Sequence, residues 1–220
     1  MTRTYAFAVV LATYLAGLFI GSSLMARRVD RLRDPWGIFA LLIAGAGLVA
    51  LLEIALLGRW LILLQTQAET AVLALGGSVL LGMSARFAVA ALSIVFVPTL
   101  LLGAAFPVAL RLCVGPGRVG RDVGAVVAYN TLGGIVGVAL CGFVLIPWLG
   151  LVHTLGVLAI IAAATGFIAV RQGHGVKKGH RQGVIAVSLA ALLVAILTPV
   201  ERQYGHQQWW WRLQKLCDLN

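Results

Sequence analysis

Charge is scarce in this sequence: only 11% of its 220 residues are Asp, Glu, Lys or Arg, against roughly a quarter in a soluble domain. With 61% of residues hydrophobic and a mean hydropathy of +1.00, too few polar side chains remain to cover a water-soluble globule. Acidic residues are the rarest. The seven present, Asp30, Asp34, Glu53, Glu69, Asp122, Glu201 and Asp218, are dispersed, and no two are spaced for general acid-base work. There is no HExxH, no nucleophile accompanied by a base and no phosphate-cradling glycine loop leading from a strand, which excludes several common enzyme signatures. Cysteine is also sparse. Cys113, Cys141 and Cys217 are odd in number and show no CxxC or metal spacing, so they read as free thiols, and neither a metal nor a cofactor is expected.

What is abundant is long apolar runs. Tyr5 to Met25, Trp36 to Leu57, Phe87 to Leu110, Ala125 to Trp148, Leu151 to Val170 and Val184 to Val200 each approach the roughly 20 residues needed to cross a bilayer as a helix. Backbone groups in lipid must pair within the segment. The expected fold is therefore all-α, a polytopic bundle of about six transmembrane helices over residues 1–200, followed by an aromatic and basic tail, 201–220. The early Arg3 and following apolar run superficially resemble a signal peptide, but the run is long and ends in a basic cluster, so a retained helix is expected.

The formal net charge is +10, with 17 Lys and Arg. These cations lie between the apolar runs rather than on one face, so nucleic acid is not an expected partner. Arg27, Arg28, Arg31 and Arg33 occupy the first loop, Arg111, Arg118 and Arg121 another, and Arg171, Lys177, Lys178 and Arg181 a third. Leu61 to Met83 decides the topology: it is apolar, yet holds Gln65, Gln67, Glu69 and the pair Gly76 and Gly77. If it does not cross, all three basic loops share one side, as the positive-inside rule requires. The expectation is thus an external N-terminus, cytoplasmic basic loops in the inner (plasma) membrane, and Leu61 to Met83 as an external amphipathic or re-entrant segment.

Gly17 with Gly21, and Gly133 with Gly137, recur at four-residue spacing and predict helix-helix contacts. Pro98 and Pro107 predict a kink or a broken segment in the third span, and a packing kink is the simpler reading.

Three blocks, YAFAVVLATYLAGLFIGSSLMARRVDRLRDP, VPTLLLGAAFPVALRL and above all GRDVGAVVAYNTLGGIVGVALCGFVLIPWLGL, resemble the membrane region of bacterial fused transporter-like/spermidine synthase proteins, over roughly Tyr5 to Leu151. The resemblance implies a partial major-facilitator-like arrangement, in which the basic loop ARRVDRLRD, with Asp30 and Arg31 at its heart, would be a conformational loop. It also implies one further N-terminal helix and a soluble aminopropyltransferase-like domain; neither is recognisable here. A truncated gene, a frameshift and a short paralogue would each give this pattern.

Candidate polar positions in the membrane are Glu53 and the run Tyr129, Asn130 and Thr131. Glu53 reads either as a proton-coupling or cation-binding group or, preferably, as an interfacial side chain snorkelling where its helix ends. Asn130 reads as interhelical glue or, more sharply, as a substrate contact. His153, His174 and His180 read as solvated loop or interface histidines, and Trp209, Trp210 and Trp211 with Arg212 and Lys215 as an interfacial tail. Two functions follow. One is a transporter-like domain for a small, polyamine-like cation without its own catalytic domain. The other is a membrane anchor docking a separately encoded soluble synthase subunit. Beyond the lipid bilayer and such a subunit, the ligand stays unnamed.

Overall fold

A computed structural model describes residues 2–115, 117–173 and 176–197; the tail, His174 and the end of the last expected span lie outside the described residues. All regular structure described is helical. In chain order it comprises α1 (Thr2–Ala26), α2 (Pro35–Ala74), α3 (Val79–Ala91), α4 (Val97–Cys113), α5 (Val119–Leu140), α6 (Ile146–Gln172) and α7 (Lys178–Leu197). Four helical stretches, Thr4–Ala26, Pro35–Glu53, Val79–Cys113 and Val119–Gln172, are long and apolar enough to cross a membrane. Phe7, Phe19, Phe143 and Trp148 lie exposed on them, as expected of a surface that faces lipid and not water.

The central element is α2, whose 40 residues make it about 60 Å long. Its start is specified locally. Asp34 is the N-cap, its carboxylate accepting from the Gly37 N–H at 2.8 Å, and Pro35 opens the first turn, where a missing N–H costs nothing. Nothing then breaks it until Gly76, in the left-handed region at φ +80°. Gln65, Gln67 and Glu69 are good helix formers, so their polarity does not end the helix. The backbone of Leu61 to Met83 is accordingly continuous with its neighbours. It is the second half of α2, a turn, and the first residues of α3, whose N-cap Ser78 accepts from the Leu81 N–H at 3.3 Å. The two arms form a helical hairpin pinned by an exposed Glu69–Arg86 ion pair at 3.4 Å.

Between α3 and α4 lies a π-helical turn, Leu92–Phe96, two residues before Pro98. A second, Cys141–Leu145, lies two residues before Pro147. Each proline removes one donor from its helix, and a π turn just ahead is a local means of re-pairing the ladder. In the first case Thr99 also donates its hydroxyl to the Val95 and Phe96 carbonyls at 2.8 and 3.0 Å. Pro107 sits buried inside α4. Further on, Gly150 at φ +76° bends the chain within α6.

Packing runs through small residues. α1 lies parallel to α3 and α4: Tyr5 faces Leu80 and Phe87, while a Cβ at Gly17 would strike Thr99 and one at Gly21 the Leu100 carbonyl. Antiparallel to α2, α6 places Gly166 against Ala40 and Ala44, and Ala159 and Ala162 against Gly47. Parallel to α2, α7 completes two buried clusters, Ala40, Ala169 and Val184, and Leu51, Ala159 and Ala191. Such Gly/Ala seams let backbones approach closely, which replaces the hydrophobic drive that lipid cannot supply.

One consequence is that the three basic loops meet at one end of the bundle. Arg111 at the end of α4 donates to the Val29 carbonyl in the first loop, and Lys177 N–H and His180 before and within α7 reach Asp34 at the start of α2. The exception to the packing is α5. It touches the bundle only at its ends, none of its residues is buried, and a Cβ at Gly133 or Gly137 would meet nothing within 4 Å. The helix contact expected at this pair is therefore not made within the described chain. A small-residue face permits close approach but does not supply the neighbour.

Candidate functional site

Glu53 lies on α2 about 27 Å from Pro35 along the helix axis. The expectation that its helix ends nearby does not hold, because α2 runs on to Ala74. Its Oε2 is buried and has no hydrogen-bond partner among the described residues, so the carboxylate is not simply snorkelled to an exposed surface. Gly45 stands opposite Leu101 across the antiparallel α2–α4 contact. Moving eight residues along each helix in opposite senses brings Glu53 level with Ser93, in the π turn Leu92–Phe96. The site is thus an acidic group in an apolar bundle, at the level along α2 of the stretch of α3–α4 whose helix is irregular.

The other candidate membrane group does not join it. Tyr129, Asn130 and Thr131 ride on α5, which does not pack against α2. Tyr129 is 76% exposed, and the Thr131 hydroxyl is spent on the Val127 carbonyl at 2.9 Å. Asp30 and Arg31 fall in a short 3₁₀ turn, Val29–Arg31, both exposed. What ties that loop to the bundle is Arg111, and not either of them. His153 bonds the Leu149 carbonyl one turn back at 3.0 Å. Among the described residues no three His, Cys, Asp or Glu side chains converge on a metal position.

A second polar cluster, centred on Asp34, has no counterpart in the sequence reading. Asp34 is 5% exposed and accepts from Gly37 N–H at 2.8 Å, from Lys177 N–H at 3.0 Å and bonds His180 Nδ1 at 2.8 Å. Burial pushes its carboxyl upward, but the bonds from Gly37, His180 and Lys177, with the imidazolium charge, outweigh this and hold it below the usual carboxylate range. The Asp-Pro pair was a legible N-cap signal. The partners 143 and 146 residues away were not, and His180, read as a solvated loop residue, is partly exposed, its side chain at 30%, and paired with the buried Asp34. Asp122 plays a lesser version of the same role, accepting from Gly115 N–H at 3.0 Å.

Comparisons of the chain with protein-family models, with curated proteins and with solved structures returned no match.

Proposed function

We propose that this chain is a transporter-like membrane domain, related to the membrane region of the fused transporter/spermidine synthase proteins that its sequence resembles, and that it handles a small organic cation such as a polyamine. The observation that carries the reading is Glu53. A carboxylate within a membrane span is costly and belongs where a cation, a proton or a water-filled path meets it, and here one buried oxygen has no hydrogen-bond partner among the described residues. The π turns and prolines of α3–α4 and α5–α6 supply the interrupted helices on which such sites are built. The clustering of the three basic loops at one end supports a cytoplasmic placement of that end, with the first span here in the position of a second helix in a partial major-facilitator-like arrangement.

The test is flux. The chain is reconstituted into vesicles and uptake of labelled putrescine is followed, with Glu53→Gln beside the parent. A loss of about tenfold or more is expected on removing the charge; uptake equal to that of empty vesicles in the parent chain would refute the reading. The uncovered α5 favours a second reading, an assembly module that completes a larger membrane complex or anchors a soluble synthase. Co-purification of a stoichiometric partner, together with no flux, would select it.

A further inference from the structure

The α6–α7 hairpin carries an arrangement that Glu53 does not use. At the basic end a cleft of about 400 Å³ opens between the two helices, lined by Arg171 and Arg181 above Phe167, Val170, Val184 and Ile185. The Arg171 guanidinium sits 4.8 Å from the centre of the Phe167 ring, which anchors a charge at the edge of an apolar wall. Phe167 and Ile185 also line a second groove of about 370 Å³, which therefore adjoins the first and is bounded by Ile160, Ala163, Ala164, Leu189 and Leu192. This groove is apolar except for Ser188, whose buried hydroxyl has no hydrogen-bond partner among the described residues.

The dimensions of the two are informative. Arg171 to Ile160 on α6 and Arg181 to Leu192 on α7 are equal lengths of helix, each about 16 Å. That is close to half the roughly 30 Å hydrocarbon thickness, the depth of one leaflet. Two arginines at the head and an apolar trough one leaflet deep match a single chemical class, an anionic amphiphile.

We propose that this face holds one anionic phospholipid from the leaflet at the basic end of the bundle. The phosphate lies between Arg171 and Arg181, where a guanidinium makes paired charge-assisted bonds. One acyl chain fills the trough between α6 and α7.

Native mass spectrometry of the full chain in mild detergent tests this, with phosphatidylglycerol and phosphatidylcholine offered together. Preferential retention of phosphatidylglycerol is expected, falling about tenfold or more in the Arg171→Gln/Arg181→Gln pair. The Arg118→Gln/Arg121→Gln pair removes equal charge from the same end outside the cleft and should keep the preference. Ala164→Trp, which fills the trough and leaves both arginines, should also release the lipid, and it decides the matter should the arginine pair fail to fold by circular dichroism. Equal retention of the two lipids by the parent chain, or unchanged preference in the folded variants, overturns the proposal. So does displacement of phosphatidylglycerol by inorganic phosphate alone, which would assign the cleft to a soluble anion.

Discussion

At the scale of single residues, Asp34 joins the start of α2 to the start of α7 through one carboxylate. Asp34→Ala removes an N-cap and leaves the Lys177 amide and His180 without their acceptor, so a loss of about 1 to 3 kcal/mol is expected, read as a fall in melting temperature in detergent. The pH dependence follows from the direction of the shift. A carboxyl held below its ordinary range in the fold contributes stability that is complete above its unfolded value near about 3.9 and is lost as pH falls through the lower folded value. The parent chain should therefore lose stability on acidification below about pH 4, and the same limb should be shallower in Asp34→Ala. An identical acid limb in both would show that other carboxyls carry it. The capping half of this site was legible in the sequence. The half supplied by the α7 end was not, because a contact between residues 34 and 180 depends on where two helices are brought together.

Among whole elements, the contrast between α1 and α5 is the instructive one, since both carry glycines at four-residue spacing. In α1 they abut α4, with a Cβ at Gly21 directed into the Leu100 carbonyl. Gly21→Leu should accordingly overpack, costing about 1 to 3 kcal/mol. At Gly137 a Cβ meets nothing within 4 Å, so Gly137→Leu should leave the isolated chain's melting temperature unchanged or raise it slightly, since leucine is the better helix former by several tenths of a kcal/mol. A clear destabilisation by Gly137→Leu would reveal a helix seated on α5 in the native assembly. Identical spacings thus mean different things: the pattern encodes a permissive face, while occupancy depends on a neighbour elsewhere in the chain or outside it. Leu61 to Met83 shows the same limit: its polar residues mark a segment not expected to cross the membrane, while the backbone preference of Gln and Glu carries α2 to Ala74, just before Gly76.

For the molecule as a whole, the expected topology is testable at Cys113, which is exposed at the end of α4 beside the basic loops. In intact cells carrying Cys141→Ser and Cys217→Ser, an impermeant thiol reagent should label Cys113 only after permeabilisation; labelling from outside would invert the orientation. The other prediction at this scale is chemical. Aminopropyl transfer needs a pocket for a bulky sulfonium donor and acidic groups to hold and deprotonate an amine, and Glu53 and Asp34 lie at well-separated levels of α2. The purified chain supplied with putrescine and decarboxylated S-adenosylmethionine should yield no spermidine above a protein-free control by mass spectrometry.

The sequence by itself determined the solvent and the class of this protein: apolar runs of bilayer length cannot be dissolved in water, and helices are what such runs form where no water pairs the backbone. It also determined the loop charges and the start of α2 at the Asp34–Pro35 pair, because capping and hydropathy are local properties read over a few residues. Only the tertiary structure decided which glycine faces are filled, that α2 continues far past Glu53, that Asp34 meets His180, and that Arg171 and Arg181 frame one cleft. Each of these depends on the packing of segments far apart in the chain, and such packing is set by the shapes of two surfaces together, which neither segment records alone.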